Sequence, residues 1–284
     1  MGEIFERKED DIVLAESSVT RLRSLITDRS NVNINIYKDE YLGRRLKVRM
    51  RAIHHKSPES YLNFVERNPE EYKKLVSVLT INVTSFFRNK QTFRKINELV
   101  VPMICQDKIE RGEKEINVLC VGCATGEEPY SIAMIFQEQF QKAGSNLKLK
   151  VIGTDVDKKA LFTAVKGIYP PDKVSKIPER HLKKYFTVVK NGFQVTPDLK
   201  SSVIFLKKDV FNHRVNRRFD IIMCRNLLIY FLRSYQEVIQ EGFYKQLLPG
   251  GFLVLGRTES LVGKGRQLFE AISIPDRVYR KISK

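Results

Sequence analysis

The octapeptide NVTSFFRN, residues 82–89, sets Asn82, Thr84 and Arg88 around a pair of phenylalanines, Phe86 and Phe87. Short polar side chains and a guanidinium can grip a polar ligand, whereas adjacent phenylalanines mostly serve a core. A second stretch, VLCVGCATGEEPYSIAM, puts Gly122, Ala124 and Gly126 between an apolar run and a helical pattern. Small residues in such a turn let the backbone approach a ligand closely and let the helix seat against the strand. The helix opens with Glu127-Glu128. Carboxylates there are favoured by the helix dipole, but they would repel a pyrophosphate. Asp155 ends the next apolar run, LKLKVIGTD, where an acid can accept hydrogen bonds from both ribose hydroxyls. Strand alternation turns Asp157 elsewhere.

A ribose-bearing ligand with positive charge and no phosphate meets these constraints better than a nicotinamide dinucleotide. S-adenosylmethionine (SAM), with its ammonium and sulfonium, is such a ligand, and a methyltransferase is favoured over a dehydrogenase. No G-K-[ST] follows the glycines, so the turn is not a phosphate-binding P-loop. Of the four cysteines, Cys120 and Cys123 form a C-x-x-C. No second pair completes a zinc site, so no metal is expected and the cysteines read as buried thiols.

The elements that must position these residues fall into two groups, as 284 residues suggest. Residues 1–80 read as a helical domain: Leu42, Leu46, Met50 and Ile53 share one helix face while Arg44, Lys47 and Arg51 share another. Ser57-Pro58 starts a further helix. Residues 81–115 are a linker and connecting helix that contributes to the cofactor site. From 116 to 284, apolar runs alternate with helical patterns, predicting a mostly parallel sheet with helices on both faces. An insertion at about 168–202 contains YFTVVKNGFQVTP, a hairpin expected to turn at Asn191-Gly192.

The net charge is +17, and residues 164–218, with 13 basic and 4 acidic side chains, hold +9 of it. Arg44 to Lys56 adds six basic residues and no acidic one. An acidic partner suits such patches. The N-terminus lacks an apolar signal core, and no apolar run approaches the ~20 residues of a membrane span. A soluble cytoplasmic protein without membrane insertion is expected.

The stretches LTINVTSFFRN, CVGCATGEEPYSIAM, GTDVD, FDIIMCRNLLIYF and LLPGG occur here in one order. Together they resemble the chemotaxis receptor methyltransferase family, CheR, over nearly the whole chain. The resemblance implies a class I SAM-dependent methyltransferase, Rossmann-like, with an N-terminal all-α domain and a small antiparallel β insertion. It implies glutamate O-methylation of methyl-accepting chemotaxis receptors on their Glu-rich cytoplasmic methylation helices, giving sensory adaptation, with S-adenosylhomocysteine (SAH) as product. By position, it places Asn82, Thr84, Arg88, Gly122, Glu128, Asp155, Asp209, Val210, Arg225 and Asn226 at the cofactor. Glu128 would meet the ammonium, Asp155 the ribose, and Asp209 and Val210 the adenine. Arg88 and Tyr230 would lie nearest the transferring methyl. Arg44, Lys47 and Arg51 would dock the receptor. A monomer, recruited to receptor arrays at the inner membrane, is the corresponding expectation. Some members hold a receptor C-terminal pentapeptide on a β-subdomain with a longer hairpin loop; the short loop here favours a tether-independent enzyme. The rival readings are a SAM-dependent nucleic-acid methyltransferase, for which the sequence shows no N-P-P-Y motif, and a non-catalytic SAM-binding adaptor.

Overall fold

The computed structural model describes residues 14–29, 33–79, 83–212 and 217–282. The chain divides into two compact units, residues 1–80 and 81–284.

The first unit holds α1 (Glu16–Thr27), α2 (Asp39–Ala52), α3 (Pro58–Arg67) and α4 (Pro69–Leu79). Ser57 caps α3 by accepting from the Ser60 amide at 3.3 Å, with Pro58 in the first turn. On α2, Leu42, Leu46 and Met50 are fully buried, and Ile53 lies half-buried just past the helix end. The opposite face keeps Arg44 and Arg51 exposed and Lys47 half-exposed. Two other basic residues of the stripe have structural duties. Arg49 donates to both oxygens of buried Glu71, at 2.5 and 2.6 Å, and Tyr61 donates to the same carboxylate at 2.9 Å. Burial works to raise the Glu71 pKa, but these bonds hold it below the ordinary value. The Arg45 guanidinium lies 5.4 Å from the Tyr41 ring centre. Arg44 lies 6.0 Å from the same ring centre, and with Lys47 and Arg51 it keeps its charge on the face opposite the buried residues.

In the second unit, α5 (Lys90–Lys95) passes through one π-helical turn into α6 (Val101–Glu110). Then come β1 (Glu115–Val121), α7 (Glu127–Ala143), β2 (Lys148–Asp155) and α8 (Lys158–Lys166). The insertion follows, with β3 (Ile168–Tyr169), α9 (Pro171–Val174), α10 (Glu179–Tyr185), β4 (Phe186–Val189), β5 (Gly192–Val195) and α11 (Pro197–Ser201). The chain re-enters the main sheet at β6 (Val203–Lys207) and continues through β7 (Phe219–Cys224), α12 (Arg233–Gln246) and β8 (Leu247–Leu255). It closes with α13 (Gly265–Leu268), β9 (Phe269–Ser273) and β10 (Val278–Lys281).

The main sheet runs β6-β2-β1-β7-β8-β10-β9, with β6, β2, β1, β7 and β8 parallel and the last two strands antiparallel. Its register fixes the site. Val121 at the end of β1 pairs with both Thr154 and Cys224, Asp155 pairs with Lys207, and Cys224 pairs with Leu255. Gly122, Asp155, Arg225 and Gly256 therefore leave their strands at one level, with Asp209 two residues beyond β6. The strand order reverses between β1 and β7, and ligands of open α/β sheets settle at such a switch point outside the carboxyl ends.

Two details differ from the sequence reading. β9 is a strand with no predicted counterpart; its middle residues Glu270 and Ala271 are exposed, as expected of an edge strand that shows no apolar run. The hairpin turns at Lys190-Asn191, because Val189 already pairs with Gly192. Gly192 is needed by the third strand instead. At φ +133° its missing Cβ avoids the Tyr169 carbonyl of β3, which a side chain there would overlap.

Candidate active site at the carboxyl ends of the strands

Asp155 organises the floor of the crevice. Its Oδ2 accepts from the Ala124 amide at 2.8 Å and its Oδ1 from the Asp157 amide at 2.9 Å. The first bond holds Ala124 in the left-handed region, φ +46°, a conformation costing about 1–2 kcal/mol for a residue with a Cβ. Gly122 is at φ +67°, and a Cβ on it would come within 3.0 Å of the Leu227 side chain. Each Asp155 oxygen keeps a lone pair beyond its amide bond, which suits two ribose hydroxyls. Burial raises the Asp155 pKa, against the pull of these amides. Asp157, as alternation required, points away and caps α8 by accepting from the Lys159 and Ala160 amides at 2.7 and 3.2 Å. The insertion braces the same turn, since Tyr169 of β3 donates to the Thr125 carbonyl at 2.7 Å.

Arg225, the first residue after β7, ties three elements together. Its Nη1 donates to Glu128 Oε2 at 3.0 Å, and its Nη2 donates to the Arg88 carbonyl at 2.7 Å. Its guanidinium also lies 5.1 Å from the Phe93 ring centre. The Arg225 side chain is only 1% exposed, while Glu128 keeps 13%. The guanidinium is thus engaged by protein, and its charge reaches the crevice through Glu128. Burial raises the Glu128 pKa and Arg225 opposes that rise. Glu127 faces inward, fully buried, and accepts from the Thr125 hydroxyl at 2.6 Å.

The NVTSFFRN segment is the wall beside this pair. Phe86 and Phe87 are buried; Phe86 meets the Tyr169 and Phe186 rings edge-on at 4.9 and 5.5 Å. The Phe87 amide donates to the Ser131 hydroxyl of α7 at 3.0 Å. Phe87 and Asn89 both have positive φ, which bends the chain so that Arg88 stands between them at the crevice. Half-buried Arg88 gives one N–H to the Val83 carbonyl at 2.8 Å. Thr84 is half-buried, and its carbonyl accepts from Lys173 of the insertion at 3.1 Å. Asn82 lies outside the described residues.

A residue that sequence reasoning missed holds the far side. Glu259, 4% exposed, accepts from the amides of Asn226, Leu227 and Leu228 at 2.9, 2.8 and 2.7 Å, and from Gly256 at 2.5 Å. One carboxylate thereby fixes the whole loop after β7. Asn226 sits at φ +60° with its Oδ1 buried and lacking a partner among the described residues. Gly256 is glycine by necessity, because a Cβ would lie 2.6 Å from Glu259 and 2.7 Å from the Asn226 nitrogen. The loop continues as a single 3-10 turn, Leu228–Tyr230, with Tyr230 half-buried. Gln236 clamps that turn by donating to the Leu228 and Phe231 carbonyls, each at 2.9 Å. Beside β6, Asp209 accepts from the Phe211 amide at 2.9 Å and Val210 opens a short 3-10 turn.

Residues 82–278 match the model of the CheR methyltransferase SAM binding domain, and residues 18–80 match that of the CheR methyltransferase all-alpha domain. The chain belongs to the CheR methyltransferase family. It is 30% identical to the chemotaxis protein methyltransferase of Escherichia coli, over 88% of this chain and 86% of that protein. Chemotaxis protein methyltransferase 2 of Vibrio cholerae is 30% identical over 89% of this chain and 88% of that one. The chemotaxis protein methyltransferase of Borreliella burgdorferi is 28% identical, over 89% and 91%. The chain is thus a class I SAM-dependent methyltransferase with an N-terminal all-α domain and a small antiparallel insertion.

The residues present fit SAM. A carboxylate with spare lone pairs closes β2, a second carboxylate at a helix start has one oxygen unclaimed by Arg225, and the orphaned Asn226 Oδ1 adds an acceptor. The donor set suits a ribose and an ammonium. Four of the six positive-φ non-glycine residues among those described, Phe87, Asn89, Ala124 and Asn226, surround this crevice. Strain of this kind persists where the surroundings over-determine it, as Asp155 and Glu259 do here.

Glu259→Gln turns a four-amide acceptor into a group with an NH2 facing N–H donors. Each stranded buried amide costs about 1–3 kcal/mol. The variant should bind SAH at least about tenfold more weakly than the parent, and Glu259→Ala should do no better. Calorimetric titration with SAH checks this, and unchanged affinity in Glu259→Gln would refute the loop-fixing role.

Proposed function

We propose that this enzyme methylates glutamate side chains of chemotaxis receptors, making glutamyl methyl esters that tune receptor signalling. The observation that carries the reading is the state of Arg88. Its main chain is anchored by Arg225, and among the described residues one of its five N–H donors is used, on Val83. A fixed guanidinium with open donors beside a methyl-donor crevice is suited to orienting a carboxylate.

Bound SAM supplies an electrophilic methyl on a sulfonium. Glu128 would hold its ammonium, Asp155 its ribose, and Asp209 with Val210 its base; Thr84, Gly122 and Asn226 would line the remainder. A glutamate carboxylate is ionised at neutral pH, with a pKa of ~4.3, so the enzyme needs no general base to create the nucleophile. Its task is alignment of oxygen, carbon and sulfur on one line, and exclusion of water as opposite charges approach. Arg88 and the Tyr230 hydroxyl orient the incoming oxygen. Arg44, Lys47 and Arg51 complement acidic receptor helices and raise the encounter rate. The two-residue hairpin loop supports tether-independent action. No helix among the described residues is long and apolar enough to cross a membrane, in keeping with recruitment to arrays by the receptor.

Three outcomes follow from these roles. Arg88→Ala should lower methyl transfer to receptor-bearing membranes about 100-fold, the scale of a lost positioning contact, while SAH still binds. Incorporated methyl should leave as methanol in alkali, and alkali-stable label would exclude a carboxyl ester. Second, the ionised form of Glu128 attracts the ammonium, and its pKa is raised. SAH affinity should therefore begin to fall on acidification at a pH above the ordinary glutamate value of about 4.3. Glu128→Gln should weaken binding at pH 7.5 by about tenfold or more and flatten that dependence. A parental profile in the variant would remove Glu128 from the ammonium site. Third, reversing charge at Arg44, Lys47 and Arg51 together should cut kcat/KM for receptor at low salt about tenfold and leave SAH affinity alone. Unchanged kinetics would mean that docking lies elsewhere.

A further inference from the structure

A second cavity, of about 260 Å³, opens between α5, α7 and the insertion. It is distinct from the cofactor crevice: neither Asp155, Glu128 nor Arg225 lines it. Its floor is apolar, made by Phe93, Ile135 and Pro178. Its volume falls a little below the roughly 300–1,000 Å³ of drug-sized sites, so an occupant is small.

The charge around it is lopsided. Two arginines at the margin are neutralised, Arg94 by Glu98 at 2.8 Å and Arg180 by Glu138 at 2.7 Å. Glu138 also accepts from Lys184 and Tyr185, so it has little capacity left for a ligand. Lys90, Lys142 and Lys176 line the cavity and form no ion pair among the described residues. Three exposed lysines without an ion-pair partner among the described residues thus line one opening, Lys176 being the insertion's contribution.

The fourth feature is His181. Its ring stacks on Phe87 at 5.7 Å, and both ring nitrogens are buried with no hydrogen-bond partner among the described residues. Burial and the neighbouring Arg180, Lys184 and Lys142 pull its pKa below the ordinary value, against the effect of Glu138. A neutral imidazole has one donor and one acceptor, and leaving both unmet in a buried place is unfavourable. Both nitrogens are closed off from solvent, so what His181 lends the cavity is ring carbon.

We propose that this pocket is a second ligand site that takes a small anion carried on a flat aromatic ring. The ring lies on the Phe93, Ile135 and Pro178 floor beside the His181 ring, and its anionic group is held by Lys90, Lys142 and Lys176. Phe93 also carries the Arg225 guanidinium on its ring, so the occupant would rest against the wall of the methyl-transfer site without entering it.

The test uses the full chain saturated with SAH, so that the cofactor crevice is filled. The probe is 1-naphthyl phosphate, titrated by calorimetry, with inorganic phosphate and 1-naphthol as the two half-ligands. The expected result is saturable binding of the probe at least about tenfold tighter than either half. The double variant Lys142→Glu/Lys176→Glu should weaken the probe about tenfold or more, and leave SAH affinity, the control for folding, unchanged. His181→Ala should weaken the probe and 1-naphthol alike. The proposal is overturned if the probe binds no tighter than phosphate, or if the charge-reversed variant binds it as the parent does. Because SAH binding is read separately, failure here leaves the methyltransferase assignment untouched.

Discussion

Arg225 is the interaction on which the site depends. A guanidinium almost wholly out of water is costly unless its donors are met and its charge is balanced. Here Glu128 balances it, the Arg88 carbonyl takes a second N–H and the Phe93 ring covers a face, while the buried Nε–H has no partner among the described residues. The consequence is geometric. The end of β7, the start of α7 and the NVTSFFRN wall cannot move independently, because each supplies one partner of the same group. Removing one member of such a pair typically costs about 3–5 kcal/mol. Glu128 is thus held in place by the protein before any ligand arrives, with one carboxylate oxygen left over.

Around that anchor, two other carboxylates act on backbone alone. Asp155 holds the turn after β1 and Glu259 holds the loop after β7, each through amides that include one residue in the left-handed conformation, Ala124 and Asn226 respectively. The level strand ends supplied by the β2-β1-β7-β8 register make this economical: each carboxylate needs to reach only the neighbouring loop. Three buried acids thus do different work at one crevice. Burial raises the pKa of all three, and what opposes it differs: backbone amides for Asp155 and Glu259, a guanidinium for Glu128.

Much of this was legible in the chain. Apolar runs marked the parallel strands, because strands covered on both faces read as continuous hydrophobic stretches. Gly122, Glu128 and Asp155 stood out because local pattern, turn then helix start then strand end, places them. Phe86 and Phe87 were correctly read as core. Glu259 was invisible for the opposite reason: its partner Asn226 is 33 residues away, and nothing periodic surrounds it. The fate of Arg225 could not be read either, since a motif places a residue near a site without saying whether its side chain faces ligand or protein. β9 escaped because its register against β10, not its own composition, makes it a strand. The hairpin slipped by one residue because Gly192 looked like a turn residue, whereas its missing side chain serves the close approach of β3.

The C-x-x-C that at first suggested a metal has a quieter significance. A sulfonium is an alkylating agent, and a thiolate is a far better methyl acceptor than a carboxylate. Cys120 is the last residue but one of the strand leading into the cofactor turn, and Cys123 lies within that turn. Both are buried, and burial, reinforced by nearby carboxylates, holds their pKa values well above that of a free thiol. Kept as neutral thiols, they do not compete for the donor. The fold thereby protects itself from its own reagent, so the methyl group is reserved for an acceptor that comes from outside.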